Sequence, residues 1–412
     1  MPETFVIVGA GLAGAKAAET LRTEGFDGRI VMFGAEAERP YERPPLSKDY
    51  LRGEAGREKV YVHGEAFYEE NEIELRLRTS VAAIDAPSRE AVLESGERVA
   101  FDRLLLATGA APRKLDAPGH ELDGIHYLRD VEDSDLLRGR LESGSGRVVV
   151  IGAGWIGAEA AASARQKGWD VVLVEMTDVP LERVLGRDLG AIYRDIHIDH
   201  GVDFRGGVSL ERFEGGLGGW VERVALSDGS SVDCDFVIVG VGVTPRVDMA
   251  AASGIEVDNG VVVDERLESS VSGVFAAGDI ANAYHPIAGR RIRVEHWANA
   301  LNQGPAAARN MLGAGEAYER VPYFFSDQYD VGMEYSGFPS DWDEVVFRGD
   351  VDAREFIAFW LADSRVVAGM NVNVWDVTDP IQELVRSGAQ VDRARLADTD
   401  VPLEEIGSAV KS

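Results

Sequence analysis

The 412-residue chain is 45% hydrophobic and 27% charged, an ordinary globular composition with room for two or three domains. Its 71 acidic and 42 basic side chains leave a formal net charge of −29, which opposes nucleic acid and anionic membrane surfaces by repulsion. A single cysteine, Cys234, excludes an intrachain disulfide and any cysteine-rich metal or iron-sulfur site, and fits a reducing cytoplasm.

The first predicted strand begins at Phe5, leaving no space for a signal peptide, and no apolar run reaches the roughly 18 residues of a spanning helix. Residues 5–8 are continuous and apolar, the pattern of a buried parallel strand. They enter a turn with Gly9, Gly11 and Gly14 and then an alanine-rich helical stretch. In that context the first glycine permits the tight turn, the second lets backbone approach a pyrophosphate, and the third lets helix and strand pack closely. Phosphate then sits on the helix N-terminus, where free amides favour negative charge. A second strand over residues 29–33 leads to Glu36, placed to accept from a ribose hydroxyl.

The same order returns downstream. Residues 148–151 lead into Gly152, Gly154 and Gly157, and residues 171–174 lead straight into Glu175. Each half continues through a small meander, turning at Ser95-Gly96 or Asp228-Gly229, to a buried returning strand that ends at Gly109 or Gly242. One dinucleotide-binding module is therefore used twice, and two dinucleotides are expected on one chain. A carboxylate at Glu175, with no basic side chain before Arg183, favours NADH over NADPH because it repels a 2′-phosphate.

Beyond about Val321 the rhythm changes. Residues 329–337, 344–347, 355–360 and 366–374 read as an antiparallel meander, with turns at Phe338-Pro339, Arg348-Gly349-Asp350 and Ala362-Asp363-Ser364. Thr378 is placed to cap a helix over residues 379–387, with Pro380 in its first turn and Gly388 past its end. Asp279 is likewise expected to cap a helix starting at Ile280. His197 and His200 lack further ligands, so no metal site is expected.

The run Glu38-Arg39-Pro40-Tyr41-Glu42-Arg43-Pro44-Pro45-Leu46-Ser47-Lys48, the strand end Ala107-Thr108-Gly109, the Gly278-Asp279 signature and the segment Phe324-Phe325-Ser326-Asp327-Gln328-Tyr329 carry a resemblance over nearly the whole chain. It resembles the FAD-dependent NADH:ferredoxin reductases, the family of putidaredoxin reductase, rhodocoxin reductase and the reductase components of Rieske dioxygenases, within the glutathione-reductase-like superfamily. The resemblance implies an α/β fold: two Rossmann-like domains, the NAD domain (113–240) inserted in the FAD domain (1–112 and 241–320), then a C-terminal α+β interface domain with an antiparallel sheet (321–412). It implies FAD on Gly9, Gly11, Gly14, Glu36, Arg43, Lys48, Thr108, Gly109, Arg113, Gly278, Asp279 and Trp297. NADH would lie on Gly152, Gly154, Ile156, Gly157, Glu175, Arg183 and Gly242.

Three residues are implied at the reacting centre. Lys48 would lie near flavin N5, paired with Glu159, where a fixed ammonium stabilises the charge that hydride brings; Trp297 would stack where nicotinamide arrives. Where the resemblance places the redox cysteines of the wider superfamily, this chain has Pro44, Pro45, Leu46 and Ser47, so thiol relay chemistry is not expected. Electrons must then pass singly to an external acceptor, which the resemblance makes a small iron-sulfur ferredoxin serving a cytochrome P450 or a Rieske-type oxygenase. Arg290, Arg291 and Arg293 are the candidate docking cluster for such an acidic partner. Two alternatives stay open: a rubredoxin reductase, and an NADH-responsive redox interaction protein similar to apoptosis-inducing factor.

Overall fold

The computed structural model describes residues 2–216, 218–338 and 341–406. Two five-stranded parallel sheets carry the two glycine turns. The spatial order of the first is Val274–Ala276, Arg103–Leu106, Thr4–Val8, Arg29–Phe33, Ile73–Arg76. That of the second is Asp203–Arg205, Asp170–Val174, Arg147–Ile151, Phe236–Val239, Ile125–Tyr127. Their registers correspond: Val6 lies between Val31 and Leu104 as Val149 lies between Val172 and Val237. Val6, Ile7, Val148, Val149 and Val150 are fully buried, which is why these strands read as unbroken apolar runs.

The copies differ in the source of one edge strand. The first sheet takes Val274–Ala276 from beyond the whole second module, whereas the second takes Ile125–Tyr127 from before its own glycine turn. The chain therefore crosses between modules twice, and the crossings zip together: Ala110–Pro112 pairs antiparallel with Val243–Pro245. The Arg113 amide donates to Gly242 O at 3.0 Å and the Arg246 amide to Gly109 O at 3.0 Å. Each module also carries its three-stranded meander, Val81–Asp85 with Glu90–Leu93 and Arg98–Ala100, and Leu210–Gly215 with Val221–Leu226 and Ser231–Asp233.

The C-terminal sheet is antiparallel, in the order Tyr323–Gln328, Val331–Gly337, Arg365–Val372, Glu355–Ala362, Glu344–Asp350. It is keyed to the second module by Trp360, buried, whose indole donates to Leu185 O at 3.1 Å. An ion pair between Arg354 and Asp199 adds to that seam.

Four sequence expectations fail. Ile280 begins no helix; Ala281–His285 is a strand between Val261–Val263 and Arg290–Arg293, and alanine alone does not choose between the two states. Thr378 does not cap its helix, because Thr378–Ser387 starts at that residue with Val377 as N-cap, and the threonine hydroxyl donates instead to Glu334 at 2.9 Å. Arg348-Gly349-Asp350 is strand, with Gly349 opposite Phe356, and the turn falls at residues 351–354. Arg348 is nearly buried because its guanidinium collects carbonyls of the tail, Asp398 at 2.5 Å and Val401 at 2.7 Å. Tyr323–Gln328, absent from the sequence-based strands, pairs with Val331–Gly337. Of the turn expected at Phe338-Pro339, Pro339 lies outside the described residues.

Candidate functional site

The two glycine turns share one stereochemistry. Gly9 has φ +119° and Gly152 φ +94°, the left-handed region that side chains avoid, and a Cβ on Gly9 would lie 2.2 Å from Ala107 O. A Cβ on Gly14 or Gly157 would lie 2.1 or 1.9 Å from the carbonyl of Gly9 or Gly152, so the third glycine sets the approach of helix to strand. The middle glycines differ: a Cβ on Gly11 or Gly154 meets no atom within 4 Å. Those positions face an open cradle at the N-termini of the helices Leu12–Thr23 and Trp155–Gln166.

An acid stands beside each cradle. Glu175 accepts from the Ala153 amide at 2.6 Å and the Thr177 amide at 3.2 Å, which fixes its carboxylate against the second turn. Glu36 accepts from the Tyr41 hydroxyl at 2.5 Å and pairs with Arg43 at 3.3 Å. Asp279 is engaged by Arg129 at 2.7 Å, an arginine the sequence reading missed. Burial lowers the Arg129 pKa, and its Nε, with His296 Nδ1, has no hydrogen-bond partner among the described residues. These are donors or acceptors awaiting a polar ligand around the Asp279 end of the first module.

Lys48 and Glu159 meet. Pro44 and Pro45 preset the backbone of a 3₁₀ turn, Pro44–Ser47, that delivers Ser47 and Lys48 to the helix Trp155–Gln166 of the other module. Lys48 Nζ lies 2.9 Å from Glu159 Oε2, with side chains 11% and 4% exposed. The same oxygen accepts from Ser47 Oγ at 2.5 Å, and Glu159 Oε1 accepts from Ser326 Oγ at 2.6 Å. The pair is therefore built by all three parts of the chain. Removing one partner of such a buried pair costs about 3–5 kcal/mol.

Lys48, but not Glu159 behind it, borders a cavity of about 300 Å³, lined also by Glu42, Pro44, Pro45, Asp49, Arg52, Trp297, Phe325, Asp327 and Tyr329. Trp297 opens the helix Trp297–Met311 and meets Phe325 edge-on at 5.9 Å, while Lys48 Nζ lies 5.4 Å from the centre of the Phe325 ring. Burial raises the Asp327 and Glu42 carboxyls above their usual range.

Other expected residues are dispersed. Thr108 and Arg113 bond the crossover strands, to Arg246 O at 3.3 Å and Val243 O at 3.2 Å. Gly109, Gly242 and Gly278 adopt positive φ at strand ends. Ile156, 45% exposed, lies in the first turn of the helix Trp155–Gln166, and Arg183 is exposed on the short helix Glu182–Leu185. Arg293 does not join an exposed cluster: its side chain is 10% exposed, paired with Glu295 at 2.5 Å and bonded to Asp279 O at 3.1 Å. Arg290 and Arg291 are exposed, although Arg291 also bonds Val263 O. His197 bonds Gln328 and Tyr329, His200 lies against Asp330, and among the described residues no group of three or more His, Cys, Asp or Glu is placed to hold a metal. Cys234 is buried with its thiol pushed up to about 12 by burial and acidic neighbours, in the second module's own core. Among the described residues no helix is long and apolar enough to cross a membrane.

Comparison with known proteins agrees with this architecture. Residues 3–304 match the pyridine nucleotide-disulphide oxidoreductase family model, and residues 323–407 a reductase C-terminal model. The chain is 38% identical over 403 residues to the ferredoxin–NAD(+) reductase component of the anthranilate 1,2-dioxygenase system of Burkholderia cepacia, covering 98% of each. It is 35% identical over 414 residues to putidaredoxin reductase of Pseudomonas putida, covering 100% of this chain and 98% of that one. The crystal structure of the ferredoxin reductase for the CYP199A2 system of Rhodopseudomonas palustris superposes with a TM-score of 0.94 at 35% identity, covering 98% and 99%. Putidaredoxin reductase in its covalent complex with putidaredoxin also gives 0.94, at 34% identity, covering 100% and 99%.

Proposed function

The chain belongs to the pyridine nucleotide-disulphide oxidoreductases, among the ferredoxin reductases of oxygenase systems, and on that footing we propose that it oxidises NADH through FAD and reduces a small iron-sulfur ferredoxin one electron at a time. The carrying observation is the buried Lys48–Glu159 pair at 2.9 Å, which joins the two nucleotide modules and holds Lys48 in a cavity wall shared with Trp297.

The residues fit both nucleotides. Gly11 and Gly154 leave the cradles that a Cβ would fill, Glu36 and Glu175 stand at the ribose ends, and Asp279 with Arg129 offers a carboxylate and donors to a sugar-alcohol chain. FAD, when bound, accepts two electrons together and releases them singly. The chain's own contribution is to hold an ammonium at the cavity wall, oriented by Glu159 and screened from water, where it favours negative charge. With Cys234 distant and poorly ionised, no thiol on the described chain competes for the electrons. Glu175, held by two backbone amides, supports NADH over NADPH.

For the partner, docking is assigned to the exposed arginines Arg290 and Arg291, without Arg293. Reversing both charges is expected to raise the apparent KM for ferredoxin and leave ferricyanide reduction unchanged; equal loss of both activities refutes the assignment. Stopped-flow mixing of the FAD-loaded protein with NADH or NADPH, then with ferredoxins and with a rubredoxin, tests the whole reading. Rapid bleaching by NADH followed by ferredoxin reduction is expected. A rubredoxin-only response, or a long-lived reduced complex that reduces neither acceptor, refutes it.

A further inference from the structure

The segment Tyr323–Gln328 has a use beyond packing. Ser326, Gln328 and His197 are 2%, 1% and 0% exposed and form a single file that ends on Glu159. The links are Ser326 Oγ to Glu159 Oε1 at 2.6 Å, Gln328 Nε2 to Ser326 Oγ at 3.3 Å, and His197 Nε2 to Gln328 Oε1 at 3.0 Å. His197 Nδ1 then meets the Tyr329 hydroxyl at 3.1 Å.

The direction of every bond follows from the end. A carboxylate paired with an ammonium only accepts, so the Ser326 hydroxyl donates to it and must itself accept from the Gln328 amide nitrogen. That choice turns the Gln328 carbonyl oxygen toward His197, which makes Nε2 a donor. Nδ1 is then the acceptor and takes the Tyr329 hydroxyl proton. Burial supports a neutral ring, with the His197 pKa lowered to about 4. Such a file has one satisfied arrangement, and in a dry interior the reversed one leaves unpaired polar atoms.

We propose that His197, Gln328 and Ser326 are positioning residues for the Lys48–Glu159 pair: a one-way hydrogen-bond chain, running from the second module through the C-terminal sheet, that fixes the carboxylate and through it the ammonium that faces the cavity. The proposal rests on the reading of that cavity as the site of hydride transfer. It gives the C-terminal sheet a share in the reacting centre, because two of the three links, Ser326 and Gln328, lie on its first strand. At the outer end the Tyr329 ring stacks on His200 at 3.8 Å, and His200 lies 3.2 Å from Asp330, so the chain is anchored near the surface.

Two measurements test it. In protein labelled with ¹⁵N-histidine, with His197 assigned by its loss in His197→Leu, two-bond ¹⁵N–¹H correlations at about pH 7 are expected to show the neutral Nε2–H tautomer. In stopped flow, Gln328→Leu and His197→Leu are expected to slow flavin reduction at saturating NADH by about fivefold, the scale of one lost neutral hydrogen bond, with the NADH Kd unchanged. His197→Gln, which keeps an N–H donor, is expected to restore most of that rate. An Nδ1–H tautomer, a wild-type rate in either leucine variant, or His197→Gln as slow as His197→Leu overturns the proposal. Should wild-type protein not be reduced by NADH at all, the functional reading fails and the tautomer alone decides the chain.

Discussion

Substituting alanine at Gly154 and at Gly157 separates two roles that the same residue type plays three positions apart. Gly154 has φ −73° and ψ −178°, extended backbone open to any residue, and its Cβ would meet no atom within 4 Å. Gly154→Ala is therefore expected to change the stability of the nucleotide-free second module by no more than about 0.5 kcal/mol. Its methyl group instead occupies the cradle where backbone must approach a pyrophosphate, and a tenfold rise in the NADH Kd is expected, about 1.4 kcal/mol. At an NADH concentration about 100 times the wild-type Kd, binding stabilises wild type by about 2.7 kcal/mol and the variant by about 1.4 kcal/mol. Gly157→Ala behaves oppositely: its Cβ would lie 1.9 Å from Gly152 O, a backbone atom that cannot yield without opening the strand–helix contact. The roughly 1 kcal/mol that alanine normally gains over glycine in a helix is outweighed by overpacking of about 1–3 kcal/mol or more. Thermal melts with and without NADH, alongside fluorescence titration, read both effects. Wild-type NADH affinity in Gly154→Ala, or wild-type stability in Gly157→Ala, refutes the reasoning.

The Cys234 thiol, pushed up to about 12, is expected to resist a disulfide reagent at pH 8 in the folded protein and react on unfolding; rapid reaction in the native state contradicts its burial. His197 makes stability pH-dependent, because its folded pKa of about 4 lies below the unfolded value near 6.5. The unfolded state binds the extra proton, so this contribution is full above about pH 6.5 and is lost as pH falls toward 4, with a slope of up to about 1.4 kcal/mol per unit. Denaturant titrations of wild type and His197→Gln across that window should diverge, and parallel curves refute the assignment.

What the sequence made legible was what is local in it. A buried strand, a glycine turn, a helix and an acid lie within about 30 residues, and each obeys backbone sterics that need no knowledge of the rest of the fold. That is why the strands, the positive-φ turns at Gly9 and Gly152 and the helices behind them form where expected. Residues 281–285 were misread for the same reason in reverse: small apolar side chains carry no period, and the strand exists only because Val261–Val263 and Arg290–Arg293 flank it.

The pair of Lys48 and Glu159 marks the boundary. No periodicity links positions 111 residues apart, and only resemblance joined them, yet the physical need for the link was visible once the Pro-Pro turn was seen to bury a lysine. Arg129 had no such handle, Gln328 entered only as part of a resembling segment, and His197 only as a metal candidate set aside. A charged or polar residue in a loop or on a helix face has a solvated reading that costs nothing, and only the packed structure removes the water that makes that reading cheap. Arg293 shows the opposite consequence of packing: three arginines in one run look like a basic patch, but Glu295 and the Asp279 carbonyl draw one of them inward. With a net charge of −29, association with a ferredoxin that is itself acidic is expected to weaken at low salt, where repulsion between the two bodies is least screened.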